Sequence, residues 1–233
     1  MQEDPTLQSQ LYRLMDAEYK EQLLAHYPAD ARPVIGVPLS NLFEMARENA
    51  GVRDREALVK RELTDQTYDE VLLKAWILGS NYASFDDATR LLERFLAKMD
   101  SPQLCDAICL AFRIAIEYPN ETLDLIEQRY LNSEKGFEQR YALVTLLDYY
   151  VNSDHIDRLL RLLAAVETLT PQAEDALAWA YQTCFLGFQQ KTFFALRALK
   201  MEKESFNRML DRILTCTRFN ETQQQVLLTL RRP

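Results

Sequence analysis

The stretch Ser84–Met99, SFDDATRLLERFLAKM, decides the fold class. Its apolar residues are Phe85, Ala88, Leu91, Leu92, Phe95 and Leu96, a three-and-four spacing that gathers them on one face of an α-helix. A half-buried strand would alternate with period two instead. Ser84 stands where its hydroxyl accepts an otherwise orphaned backbone N–H, and Asp86 and Asp87 follow in the first turn, where the helix dipole favours anions. The pattern recurs after Asp154, with Ile156, Leu159, Leu160, Leu163 and Val166 on one stripe. Further helix starts are marked by Asp4-Pro5, Ser101-Pro102 and Thr170-Pro171, each a capping side chain before a proline at the first helical position. Asn120 precedes ETLDLIEQRYL and Asn220 precedes ETQQQVLLTL, each again with an acidic residue in the first turn.

Working outward, the same signals predict helices near 5–25, 39–49, 54–62, 66–79, 85–98, 102–117, 121–131, 135–151, 154–167, 171–188, 190–200, 204–217 and 221–230. The connections are short, and no Gly/Ser-rich or low-complexity tract divides the chain, so neighbouring helices are expected to form antiparallel hairpins. The hairpins recur at a spacing close to the HEAT and armadillo repeat lengths. The expectation is an all-α, HEAT-like solenoid of stacked antiparallel helix pairs, residues 1–233 forming a single repeat domain with a concave face.

Composition narrows the chemistry. The 233 residues contain five glycines, at 36, 51, 79, 136 and 187, which form neither GxGxxG nor GxxxxGK, so neither common nucleotide-phosphate loop is expected. The N-terminal MQEDPTLQ has no basic and apolar signal pattern, and no apolar run approaches membrane-spanning length. Cys105, Cys109, Cys184 and Cys216 lack the spacing of a disulfide framework and read as free thiols, which points to the cytoplasm. The net charge is −8, but residues 186–233 hold 9 basic against 4 acidic side chains, while the rest holds 18 against 31. An acidic body with a basic end is compatible with one positive face, or with a plainly solvated surface.

Three residues fall at intervals of about one helical hairpin. Asp106 and Arg113 are the only charges in PQLCDAICLAFRIAI; Arg140 precedes the apolar run of KGFEQRYALVTLLDYY; Trp179 lies in AEDALAWAYQTCF. Asp106 and Arg140 are 34 apart, and Arg140 and Trp179 are 39 apart. One reading is an inter-repeat ion pair with Trp179 in the core. The other is a carboxylate held in an apolar wall, where it stabilises a developing positive charge far better than in water. Cys105 and Cys109 are four apart, but His26 and His155 are distant, so two core thiols are expected and no metal or cofactor. Trp76 in LLKAWILG reads as core.

In order and spacing, six segments resemble the AlkD-like DNA alkylation repair proteins, which are all-helical and HEAT-like. They are VIGVPLSNLFEMARE (Val34–Glu48), YDEVLLKAWILG (Tyr68–Gly79), FLAKMDSPQLCDAIC (Phe95–Cys109), FEQRYALVTLLDYY (Phe137–Tyr150), ALAWAYQTCFLGFQQKT (Ala176–Thr192) and NRMLDRILTCTRF (Asn207–Phe219). The resemblance implies excision of positively charged N-alkylated purines from double-stranded DNA by hydrolysis of the N-glycosidic bond. It places Asp106 on the catalytic aspartate, Arg140 on a phosphate-binding arginine and Trp179 on one of two active-site tryptophans. Arg208, Arg212 and Arg218 match basic positions of the last motif. The chain departs from the pattern at three places: the second tryptophan is Pro102, and two arginines of the first motif are Pro38 and Phe43. These departures predict weak or absent glycosylase activity. A non-catalytic helical-repeat scaffold that binds protein is the competing expectation.

Overall fold

A computed structural model describes residues 5–233, and among these the chain is helical with no strand. It forms two compact units that divide between Tyr118 and Pro119. The first contains α1 (Leu7–Arg13), α2 (Ala17–Leu24), α3 (Leu39–Asn49), α4 (Arg55–Glu62), α5 (Tyr68–Gly79), α6 (Phe85–Leu96), α7 (Pro102–Cys109) and the short α8 (Ile114–Glu117). The second contains α9 (Pro119–Leu125), which runs into a π-helical turn at Ile126–Tyr130, then α10 (Gly136–Tyr149), α11 (Ile156–Ala164), α12 (Glu174–Gly187), α13 (Gln189–Ala198), α14 (Lys203–Leu214) and α15 (Glu221–Leu228). In each unit alternate helices lie side by side. α3, α5 and α7 form one such layer, with α4 and α6 against α5; α10, α12 and α14 form the other, and α11 packs on α13. This is the stacked helical-hairpin architecture that the periodicity predicts.

Layer position explains the composition of each helix. α5 has neighbours on several sides and buries every residue except Lys74. α6 and α11 bury one stripe, Ala88, Leu92, Phe95 and Leu96 in the first and Ile156, Leu159, Leu160, Leu162 and Leu163 in the second. Two consecutive buried carboxylates hold the approach to α5. Asp69 accepts the backbone N–H groups of Ile35 (2.6 Å), Gly36 (3.2 Å) and Val37 (2.8 Å). Burial raises its pKa above the ordinary aspartate value, and those three N–H groups work against the rise. Glu70 accepts from Thr64, Gln66 and Thr67 N–H and closes a capping box with Thr67. Gly36 is required here: its φ is +98°, and a Cβ would lie 2.5 Å from the Lys20 Cβ.

Several boundaries differ from the sequence reading. The helix expected over 5–25 is two helices. The backbone N–H of Asp16 donates to Gly36 O (2.9 Å), which turns it out of the helix, and its side chain instead caps α2 through Tyr19 N–H (2.8 Å). Asp4 lies outside the described residues; α1 is capped by Thr6. The helix expected over 102–117 stops at Cys109 and resumes at Ile114. There the chain crosses so close to α5 that a Cβ on Gly79 would sit 2.7 Å from Ala111 O. Thr170 does not cap α12. Its N–H and hydroxyl both donate to Gln139 Oε1 (2.8 Å each), and α12 begins only at Glu174. Asn120 lies inside α9, which starts at Pro119. Ser84, Ser101 and Asn220 cap their helices as read.

Candidate functional site

α7 begins at a buried cap. The hydroxyl of Ser101 accepts Leu104 N–H (3.3 Å), and Pro102 supplies the first helical residue. Leu104, Cys105 and Ile108 face inward and are fully buried, whereas Pro102, Gln103 and Asp106 are half-buried and Leu110 is exposed. Asp106 therefore stands on the solvent-facing stripe of an otherwise apolar helix. The thiols of Cys105 and Cys109 are buried, with Cys109 Sγ donating to Cys105 O (3.3 Å), which is core packing.

Tyr68 feels the charge of this carboxylate and Tyr27 packs against Tyr68; neither stands among the site residues read from the sequence. Tyr68, at the start of α5, is buried, and its ring meets that of Tyr27 edge to face at 5.9 Å. Burial above all raises the Tyr68 pKa, and the charge of Asp106 is among the contributions that add to it. Tyr27 is brought here by the segment between α2 and α3, which is lashed to the entry of α7. Gln103 Nε2 donates to His26 O (2.6 Å), and Arg32 binds Asp100 (2.6 Å) and Lys98 O (2.6 Å). No sequence spacing marks Tyr27, because it lies in an irregular segment outside any helical period.

The other sequence-read residues belong to the second unit. Arg140 on α10 is only 7% exposed, and its Nη1 donates to Gln172 O (2.8 Å). Trp179 is 40% exposed, so it is not a core residue; it interrupts a run of buried positions on α12 between Ala178 and Ala180. One turn before it, Asp175 pairs with Arg212 (3.2 Å), which also pairs with Glu174 (2.6 Å). Gln182, near Trp179 on the same helix, donates to Arg212 O (2.8 Å) and Ile213 O (3.1 Å) and pins the end of α14. Trp179 and Arg212 thus belong to one face of the α12–α14 pair. Arg208 and Arg212 line one cleft of about 470 Å³ that also holds Glu174 and Glu202. Arg208 is exposed and donates to Ser205 Oγ (3.3 Å). Arg218, past α14, is exposed and makes no hydrogen bond or ion pair among the described residues. Burial pushes the Cys184 thiol up to about 12, which leaves it protonated and unreactive.

Among the described residues no helix is long and apolar enough to cross a membrane. A family model described as a DNA alkylation repair enzyme matches residues 7–183. That stretch takes in Asp106, Arg140 and Trp179 and ends before Arg208, Arg212 and Arg218. No curated protein and no solved structure matches the chain.

Proposed function

The chain belongs to the DNA alkylation repair enzyme family, and on that premise we propose that it binds DNA and excises positively charged N-alkylated purines weakly. The observation that carries this reading is the placement of Asp106, a half-buried carboxylate on the solvent-facing stripe of an otherwise apolar helix. A cationic alkylated base is already a good leaving group, so the reaction asks little of a general acid. It asks for a fixed negative charge to stabilise an oxocarbenium-like sugar and to position water. Asp106 has that role. In the second unit, Trp179 presents an exposed ring face suited to cation–π attraction. Arg208, Arg212 and Arg218 present guanidinium groups suited to backbone phosphates, and Arg140, nearly buried on Gln172 O, braces the start of α10. Pro102 in place of a tryptophan removes one cation–π contribution of roughly 1–2 kcal/mol, or about five- to thirtyfold in rate.

A second reading, a protein-binding scaffold without catalysis, is favoured by the ion pairs that Glu174 and Asp175 make with Arg212. Excision from duplex DNA carrying a 7-alkylguanine separates the two. Slow release of the base is expected, and Asp106→Asn, which keeps the shape and removes the charge, lowers the rate by on the order of a hundredfold or more. Excision that survives Asp106→Asn moves the chemistry away from this residue. No binding to any DNA at low salt leaves the scaffold.

A further inference from the structure

The face of the α3–α5–α7 layer carries a feature that the excision chemistry does not use. Phe43 is 56% exposed and Leu110 55%, and with Leu39 they wall a groove whose floor includes Trp76 and Ala46. Its volume is about 560 Å³. The Phe43 ring stands edge-on to the buried Trp76 at 5.8 Å, so the wall rests on a fixed support. Contiguous apolar surface of this kind is left open where something else covers it.

The charges around the groove have one sign. Arg47 and Arg113 line it, and no carboxylate does. Each arginine meets an acid of its own neighbourhood, Arg47 with Glu44 and Arg113 with Glu117 (3.7 Å), and all four side chains are exposed. Exposed pairs of this type are worth about 1 kcal/mol or less, so both arginines exchange partners readily. From Leu39 to Ala50 the α3 wall runs for about 16 Å at 1.5 Å per residue, the length of three helical turns. Among the uncharged side chains of the lining, only Ser40, Ser80 and the buried indole N–H of Trp76 carry hydrogen-bonding groups. Such a wall suits aliphatic and aromatic side chains; the polar edges of a nucleobase would find few partners in it.

We propose that this groove docks a short amphipathic helical segment of a protein partner. The segment lays an apolar face against Phe43, Leu39 and Leu110 and brings carboxylates to Arg47 and Arg113. With a net charge of −8 on the whole chain, the attraction for an acidic partner is local to this rim, which favours a short segment over an acidic domain.

The chain's two tryptophans make a direct test available. In a Trp179→Phe background, Trp76 emission reports on the groove. The probes are a synthetic 14-residue helix with leucines at i, i+4, i+7 and i+11 flanked by glutamates, and the same peptide with lysines for glutamates. The acidic peptide is expected to shift Trp76 emission saturably and to bind at least roughly tenfold tighter than the basic one. Phe43→Ser should weaken it by about tenfold or more with the far-ultraviolet circular dichroism unchanged, since the side chain is mostly in solvent. Arg47→Glu with Arg113→Glu should reverse the preference between the peptides. Absence of a saturable shift up to millimolar acidic peptide, equal affinity for both peptides, or unchanged binding by Phe43→Ser overturns the proposal. So does a single-stranded DNA oligomer that produces the same shift and displaces the peptide, which would give the groove to nucleic acid.

Discussion

Asp65 is the one non-glycine residue at positive φ, +64°, among those described, and three cations converge on it. Its carboxylate accepts from Lys74 and from Lys98 (2.9 Å), and its carbonyl accepts from Arg32 (3.4 Å). Burial works to raise its pKa, but the two lysines outweigh burial and hold it below the ordinary aspartate value. A lowered carboxylate pKa means stability that is present above 3.8 and lost as the pH falls through the folded value. Asp65→Asn keeps a residue that tolerates this backbone and removes the charge. It should cost about 1–2 kcal/mol at neutral pH, read as a shift of the urea midpoint, and the gap to the parent should close as the solution is taken into the acid range. A second test belongs to Arg212, whose guanidinium is held by Glu174 and Asp175. Glu174→Gln frees part of its charge for phosphate, so DNA affinity should rise by roughly two- to fivefold, the worth of an exposed ion pair. Unchanged or weaker binding by Glu174→Gln would remove Arg212 from the DNA-contacting set.

At the scale of the element, α7 is the helix on which the proposed chemistry depends, and its start is held by the buried Ser101 cap. Ser101→Ala should lower stability by about 1 kcal/mol, rising toward 2 because the freed N–H stays buried. Ser84→Ala removes an equivalent cap from α6. Both variants should unfold at lowered denaturant concentrations, Ser101→Ala at the lower, but only Ser101→Ala should slow excision further, because its helix aims Asp106. Equal rates in both would mean that α7 is held by its packing alone. The caps at Ser84, Ser101 and Asn220 were legible because each is a local event within four residues. Thr170 is also a hydroxyl side chain before a proline, as Ser101 is, and yet caps nothing, because Gln139, 31 residues earlier, takes both its donors. The end of α7 at Cys109 was illegible for a similar reason. No glycine or proline marks it, and what stops it is the approach of the 110–113 segment to Gly79 of a different helix.

For the whole molecule, charge is the quantity that decides how DNA is met. A chain of net charge −8 gathers its basic excess near its C-terminal end, so binding should be salt-dependent with a modest slope set by few contacts. Arg218→Ala should reduce the slope of log affinity against log salt by about one unit. Arg212→Ala should reduce it by less, since Arg212 is already partly neutralised. Equal slopes for the parent and Arg218→Ala would place the DNA on a different surface.

The sequence by itself determined that the chain is helical, where most of the helices lie and which family it joins. These follow from three-and-four periodicity, from caps within a single turn and from the order of six motifs, all of which are local or additive along the chain. It also singled out Asp106, as the charge that an apolar helix carries. The tertiary structure alone decided what surrounds that charge. The segment that carries Tyr27 is tied to the entry of α7 by hydrogen bonds from Arg32 and Gln103 that join residues more than sixty positions apart. It decided that Trp179 faces solvent while Trp76 supports a wall, although both sit in equally apolar helices. It decided as well that Arg212 is shared with two carboxylates and Arg218 with none. Exposure and pairing depend on which helix stacks against which, and a period read along one helix carries no information about its neighbours.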